Sequence, residues 1–191
     1  MELDRELFLW LNGHVGHYPL LDAAARLLTN EYFVPVSLAL GLLFLWFGGR
    51  PHERERWQRA VITAALSVGT ANAMVAITNF MYYRDRPFTD LTVSLLFYKP
   101  PDSSFPSNAA ALGFAMATGV WLRHRRAAWY FFLLGGLFPV VRVFAGVHYP
   151  SDVLGGALVG VAAALLTNLV IVRLEPVVAR LLAAVRTLGM A

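Results

Sequence analysis

An all-α integral membrane bundle of five to six transmembrane helices is the fold this sequence predicts, and three observations carry that prediction. Residues of the AVILMFWYC set make up 58% of the 191-residue chain while Asp, Glu, Lys and Arg make up only 15%, against about 25% charge in an ordinary soluble domain. The apolar residues also fall into five runs long enough for a hydrocarbon core, which needs roughly 17–25 residues of helix. Finally, ten of the sixteen basic residues cluster between or after those runs.

The runs are Tyr32–Gly49, Ala60–Tyr83, Pro106–Leu122, Ala127–Phe144 and Ser151–Val172. Pro35 and Pro139 are expected to kink the first and fourth. Before them, Leu3, Leu7, Trp10 and Leu11, then Leu20, Leu21, Ala24, Leu27 and Leu28, recur at helical spacing among acids. That pattern suits short helices lying in the interface, although a sixth crossing through Leu20–Leu28 also fits. The tail from Glu175 repeats the pattern with Val177, Val178, Leu181, Leu182 and Val185. The expected organisation is one membrane-embedded domain over 1–191: interfacial helices over 1–30, a bundle over 32–172 and an interfacial tail over 173–191.

Ten of the sixteen basic residues sit on one side of this arrangement: Arg50, Arg54, Arg56 and Arg59; Arg123, Arg125 and Arg126; Arg173, Arg180 and Arg186. The net charge of +4 is therefore a cytoplasmic-loop excess and not a nucleic-acid footprint. The N-terminus and the 84–105 loop then face outward. With no cysteine, disulfides, thiolate metal sites and a cysteine nucleophile are excluded. No pair of matching halves carries mid-span polar residues, and Asn72 and Thr78 are too few for a transport pathway.

This topology brings four outward helix ends to one depth, and the chemically capable residues lie at those ends: Arg84 and Arg86, Ser107 and Asn108, Arg142, and His148 with Asp152. Arg86 and Arg142 suit a tetrahedral oxyanion, because a guanidinium forks onto phosphate oxygens. Pro106-Ser107 reads as a helix start whose free N–H groups form an anion site; plain N-capping explains it equally well. His148 and Asp152, four apart around Pro150, fit a nucleophile or base with its orienting carboxylate. Simple capping by Asp152 beside an interfacial histidine is the alternative. His14, His17, His52 and His124 lack such partners and read as surface residues. Gly156 and Gly160 read as helix packing.

Taken together these residues resemble the type 2 phosphatidic acid phosphatases, whose signature is KxxxxxxRP, PSGH and SRxxxxxHxxxD. The matching stretches here are Asn-Phe-Met-Tyr-Tyr-Arg-Asp-Arg-Pro at 79–87, Pro-Ser-Asn-Ala at 106–109, and Val141-Arg142 followed by His148 and Asp152 at the family spacing. The resemblance spans about residues 60–172, and the runs at 82–88 and 99–107 are most similar to bacterial undecaprenyl-diphosphate phosphatases. It implies that His148 attacks the terminal phosphorus and forms a phosphohistidine, with Asp152 orienting it. Arg86, Arg142, Ser107 and Asn108 would hold the phosphate oxygens, Arg84 or Lys99 would meet a second phosphate, and no metal or cofactor is required. The implied partners are a polyprenyl or phospholipid phosphate and the lipids of a bacterial plasma membrane, with the site facing outward. The sequence specifies no oligomeric state.

Of the departures from the signature, three bear on the chemistry. Asn79 replaces the lysine, Val141 the serine, and Ala109 the histidine that protonates the leaving group. Loss of a general acid costs about 10²–10⁴-fold, so the resemblance implies an impaired phosphatase, whether the alanine is an engineered replacement or a natural one. The alternatives are a phosphatase for another lipid, such as phosphatidylglycerol phosphate or phosphatidic acid, and a non-catalytic lipid-phosphate binder.

Overall fold

The computed structural model describes residues 2–48 and 52–187; Gly49, Arg50 and the last four residues of the expected tail lie outside it. Among the described residues the secondary structure is entirely helical. In chain order the helices are α1 (Glu2–Asn12), α2 (Pro19–Thr29), α3 (Phe33–Phe47), α4 (Arg54–Met81), α5 (Pro87–Asp90), α6 (Asn108–Trp121), α7 (Arg125–Phe144), α8 (Pro150–Arg173) and α9 (Glu175–Thr187). Each of the five apolar runs overlaps one of α3, α4, α6, α7 and α8. The four-residue turn α5 has no counterpart in the expected elements.

Three helices, α4, α7 and α8, are long and apolar enough to cross a bilayer by length and composition alone. The pair α2 and α3, bent by 60° at residues 30–32, makes a fourth if it is one broken span. At 14 residues, α6 measures only about 21 Å and falls short of the others. The helix begins inside the bundle, with Ser107 fully buried at its cap.

Helix α6 is the axis of the bundle, packed by α4, α7 and α8. Small residues make that enclosure feasible. On Gly160, a Cβ would come within 2.8 Å of the Ala115 amide nitrogen, and on Gly135 within 2.8 Å of Gly113 Cα. Gly156 similarly lies against the Ser107 carbonyl. Gly156 and Gly160 are thus a packing stripe that lets α8 ride directly on α6. Around this axis an apolar cluster of Val34, Leu38, Met116, Val120, Phe131 and Phe138 joins α3, α6 and α7.

The expected kink at Pro35 is corrected by the helix boundary. Because α3 starts at Phe33, Pro35 occupies the first turn, where no intrahelical N–H is needed. Pro139 does lie inside α7. His124 also differs from a plain surface residue. Half-buried, it caps α7, its Nδ1 accepting from the Ala127 N–H at 3.1 Å, and its ring meets Trp57 edge-on at 5.0 Å.

Candidate active site

The C-terminal ends of α4 and α7 and the N-terminal ends of α6 and α8 lie together, closed over by α1 and the 82–107 segment. That segment is stitched down by backbone bonds from Ser104 N to the Arg84 carbonyl at 2.9 Å and from Leu96 N to the Ala145 carbonyl at 3.2 Å. From α1, Phe8 is fully buried and lies 5.5 Å from the Tyr149 ring. Asn12 holds the Ser94 and Phe144 carbonyls at 2.8 and 2.9 Å.

His148 sits just before α8 and is 3% exposed. Its Nδ1 lies 3.0 Å from the Ser104 carbonyl oxygen. A carbonyl only accepts, so the proton is on Nδ1 and the Nε2 lone pair is free. That Nε2 faces Arg86 Nη1 at 3.4 Å. Burial lowers the His148 pKa, and the Arg86 and Arg142 charges act in the same direction against the pull of Asp152. The imidazole is therefore neutral at pH 7, the form a nucleophile needs.

Asp152, fully buried, reaches four groups. Its Oδ1 is 2.6 Å from Arg84 Nη1, and its Oδ2 accepts from Ser104 Oγ at 2.6 Å and from the Tyr149 N–H at 2.8 Å. The same Oδ2 lies 3.8 Å from His148 Nδ1, beyond hydrogen-bond range but close enough to act on the ring electrostatically. Capping and charge support are thus one residue's two tasks, with Ser104 oriented by Asp152 and in turn holding His148.

Arg86 is buried and Arg142 half-buried, and the two differ in how they are occupied. Arg86 is fixed by Asp102 (Nη2 to Oδ1, 2.9 Å; Nε to the carbonyl, 3.0 Å) and by the Val147 carbonyl at 2.9 Å. Arg142 lies between the Phe97 and Phe138 rings, its Cζ 4.5 and 5.4 Å from their centres. Its Nε is buried and has no protein hydrogen-bond partner. An unpaired guanidinium N–H in a dry setting is a donor prepared for an oxyanion.

Ser107 caps α6 through a long 3.5 Å contact from the Ala110 N–H, with Pro106 preceding the cap instead of filling the first turn. Ser107 N donates to the Asp152 carbonyl at 3.0 Å, which locks the starts of α6 and α8 together; the Asn108 and Ala109 N–H groups, in the first turn of α6, have no intrahelical acceptor. Asn108 is exposed, whereas Ala109 is buried in the same apolar cluster as Phe138.

The two residues expected to meet a second phosphate lie in different settings. Arg84 spends its guanidinium on Asp152 and on Asp4, whose Oδ2 is 2.8 Å from Nη2. Lys99 is exposed, with its ammonium 5.7 Å from the Phe88 ring. Sequence reasoning missed Asp4, Ser104 and Asp102. Asp4 had only its place in an acidic first turn to mark it, whereas Ser104 and Asp102 lie in the 99–107 run already singled out.

Residues 60–175 of the chain match the PAP2 superfamily. The chain belongs to that superfamily. It is 31% identical over 159 residues to the undecaprenyl-diphosphatase BcrC of Bacillus subtilis (strain 168), covering 83% of this chain and 79% of that protein. Among solved structures, Aquifex aeolicus LpxE superimposes with a TM-score of 0.63 at 29% identity, covering 85% of this chain and 92% of that one. A transmembrane PAP2-type phosphatidylglycerolphosphate phosphatase from Bacillus subtilis shares the fold, with a TM-score of 0.61 at 20% identity over 87% of this chain and 83% of that one. The chain is accordingly a multi-pass membrane protein of the PAP2 superfamily, helical in its described secondary structure.

Proposed function

We propose that this PAP2 protein is a lipid phosphatase that hydrolyses undecaprenyl diphosphate to undecaprenyl phosphate at the outer face of the bacterial plasma membrane. The observation that carries the reading is the His148 ring, held by Nδ1 on the Ser104 carbonyl so that its unprotonated Nε2 faces Arg86. The likeness to BcrC supports the substrate, and the arginine-rich loops at the other end of the bundle support the orientation.

In this mechanism the Nε2 lone pair attacks the terminal phosphorus. The bond from phosphorus to the bridging oxygen breaks, its electron pair leaves with undecaprenyl phosphate, and a phosphohistidine remains. Water then displaces the imidazole and releases inorganic phosphate. Arg142, Arg86 and the Asn108 and Ala109 N–H groups neutralise the transferring oxygens, which is most of what phosphoryl transfer asks of a protein. Asp152 supports the positive charge that grows on the ring. With alanine at 109 no histidine protonates the leaving group there, so turnover rests on the leaving phosphate's own stability as an anion and is slow.

Burial of Ala109 among apolar side chains favours a second reading, in which the same pocket binds a lipid phosphate without cleaving it. One experiment separates the two. The purified protein is mixed with undecaprenyl diphosphate labelled on the terminal phosphate, then quenched in alkali. A labelled, acid-labile phosphoprotein that His148→Ala abolishes supports the phosphatase; lipid retained with no protein label and no phosphate released supports the binder. Phosphatidic acid and phosphatidylglycerol phosphate, offered in competition, test the lipid.

A further inference from the structure

At the opposite end of the bundle from His148, two cavities lie side by side. One is an apolar groove of about 590 Å³, walled by Leu40, Phe44, Trp57, Ala127 and Phe131 and including Arg126. The other, about 530 Å³, is lined by His52, Arg56, Arg59 and Arg123 with the single acid Glu55. They meet where α4 crosses the turn between α6 and α7. There Arg56 Nε donates to the Arg123 carbonyl at 2.5 Å, and the Trp57 and His124 rings touch edge-on.

The charge in the polar cavity is unbalanced. Arg59 is neutralised by Glu55 at 2.7 Å and Glu175 at 2.6 Å. Among the described ion pairs, Arg56, Arg123 and Arg126 have no carboxylate. Two donors beside these charges are also unsatisfied: Arg123 Nε and Trp57 Nε1 are buried without a hydrogen-bond partner, although Arg123 Nη2 does reach Asn168 Oδ1 at 3.0 Å. Buried donors without acceptors are uncommon in native proteins. Here they border an excess of cations, so the missing chemistry is that of an anion rich in acceptor oxygens. Next to it lies a groove fit for hydrocarbon, on a helix perimeter that faces lipid.

We propose that these cavities form one binding site for an anionic glycerophospholipid of the leaflet opposite the active site. Its phosphate lies among Arg56, Arg123 and Trp57 Nε1, and one acyl chain runs along the Phe44–Phe131 groove. The site is independent of the catalytic pocket and holds a phosphodiester, which offers no terminal phosphate to remove. Its role is to reinforce the fastening of α4 to the α6–α7 turn that the Arg56–Arg123 bond begins.

The test uses the full chain in detergent, measuring thermal unfolding and lipids retained in native mass spectrometry. The probes are dioleoylphosphatidylglycerol, dioleoylphosphatidylcholine and inorganic phosphate. Phosphatidylglycerol is expected to be retained with a preference of about tenfold or more over phosphatidylcholine, as two surface arginines allow, and to raise the unfolding temperature. The preference is expected to vanish in Arg56→Gln/Arg123→Gln and at 1 M NaCl, where the screening length is about 3 Å. Phosphate release by that variant is expected to equal that of the parent. Ala127→Trp, which fills the groove and leaves every charge in place, should exclude the lipid even if the double variant does not fold. Equal retention of the two lipids, or a preference that survives both salt and groove filling, overturns the proposal. Stabilisation by inorganic phosphate alone to the same degree overturns the lipid assignment in favour of a small-anion site.

Discussion

Arg84 and Asp152 form a 2.6 Å ion pair in which the aspartate is fully buried, and Asp4 of α1 grips the same guanidinium from its other side at 2.8 Å. Asp4 also accepts from Ser151, N–H at 2.9 Å and Oγ at 2.5 Å. The N-terminal helix therefore reaches the start of α8 and fixes the arginine that steadies the carboxylate beside His148. Burial works against the charge of Arg84, and hydrogen bonds and charge from Asp4 and Asp152 more than offset it.

The Asp4→Asn variant keeps the shape of that side chain but leaves Arg84 with one carboxylate. Phosphate release is expected to fall by up to about 10²-fold through misplacement of Asp152 and His148, with the KM changed far less than kcat. Steady-state kinetics on the two proteins check this; an unchanged kcat means that α1 is only a cover.

For Arg142, replacement by lysine keeps a positive charge but removes the planar fork stacked between Phe97 and Phe138. The expected loss in kcat is about 10²–10³-fold, the scale of removing one transition-state donor. Phosphate-release assays at saturating substrate measure it, and near-normal turnover in Arg142→Lys would exclude Arg142 as a phosphate ligand.

The pH profile follows from His148. Its pKa is lowered by burial, so the reactive neutral ring persists below the ordinary histidine value of about 6.5. Activity is expected to be flat through neutrality and to fall only as pH drops through the lowered value, where the ring takes a proton. Stability follows the same direction: below about pH 6.5 the unfolded chain binds a proton that the buried ring resists, so acid destabilises the fold. A kcat/KM profile with its acid limb centred above 6.5 would contradict this environment.

Packing on the bundle axis is tested at Gly113, whose Cβ would collide with the Gly135 backbone. Gly113→Val is expected to part α6 from α7 and lower stability by about 1–3 kcal/mol. Gly69, where a Cβ would meet nothing, is the control: Gly69→Ala should leave thermal unfolding in detergent unchanged or raise it slightly.

Much of this architecture is legible in the sequence because a bilayer imposes a length and a composition on every spanning helix. The apolar runs that overlap α4, α7 and α8 are read that way, whereas α3, at 15 residues, reaches spanning length only if joined to α2; the convergence of Arg86, Ser107, Arg142 and His148 at one end is legible too. Helix α6 is legible as an element but not in its length, since its start is set by the buried Ser107–Asp152 contact, which the apolar pattern does not reveal. The Ser104 carbonyl under His148 is invisible to residue-type reasoning because a backbone acceptor carries no side-chain signature. Arg84 looks from sequence like a substrate ligand; only the arrival of Asp4, eighty residues upstream, shows what occupies it.

The most direct measurement is inorganic phosphate release from undecaprenyl diphosphate in detergent, comparing the chain as it stands with Ala109→His. Position 109 lies at the first turn of α6, in the cluster that includes the Phe138 ring beside Arg142. A histidine there returns a proton donor to a site otherwise built for phosphoryl transfer. The account predicts a gain of about 10²–10⁴-fold, abolished when His148→Ala is added. A folded Ala109→His protein that releases no more phosphate than the parent would contradict it.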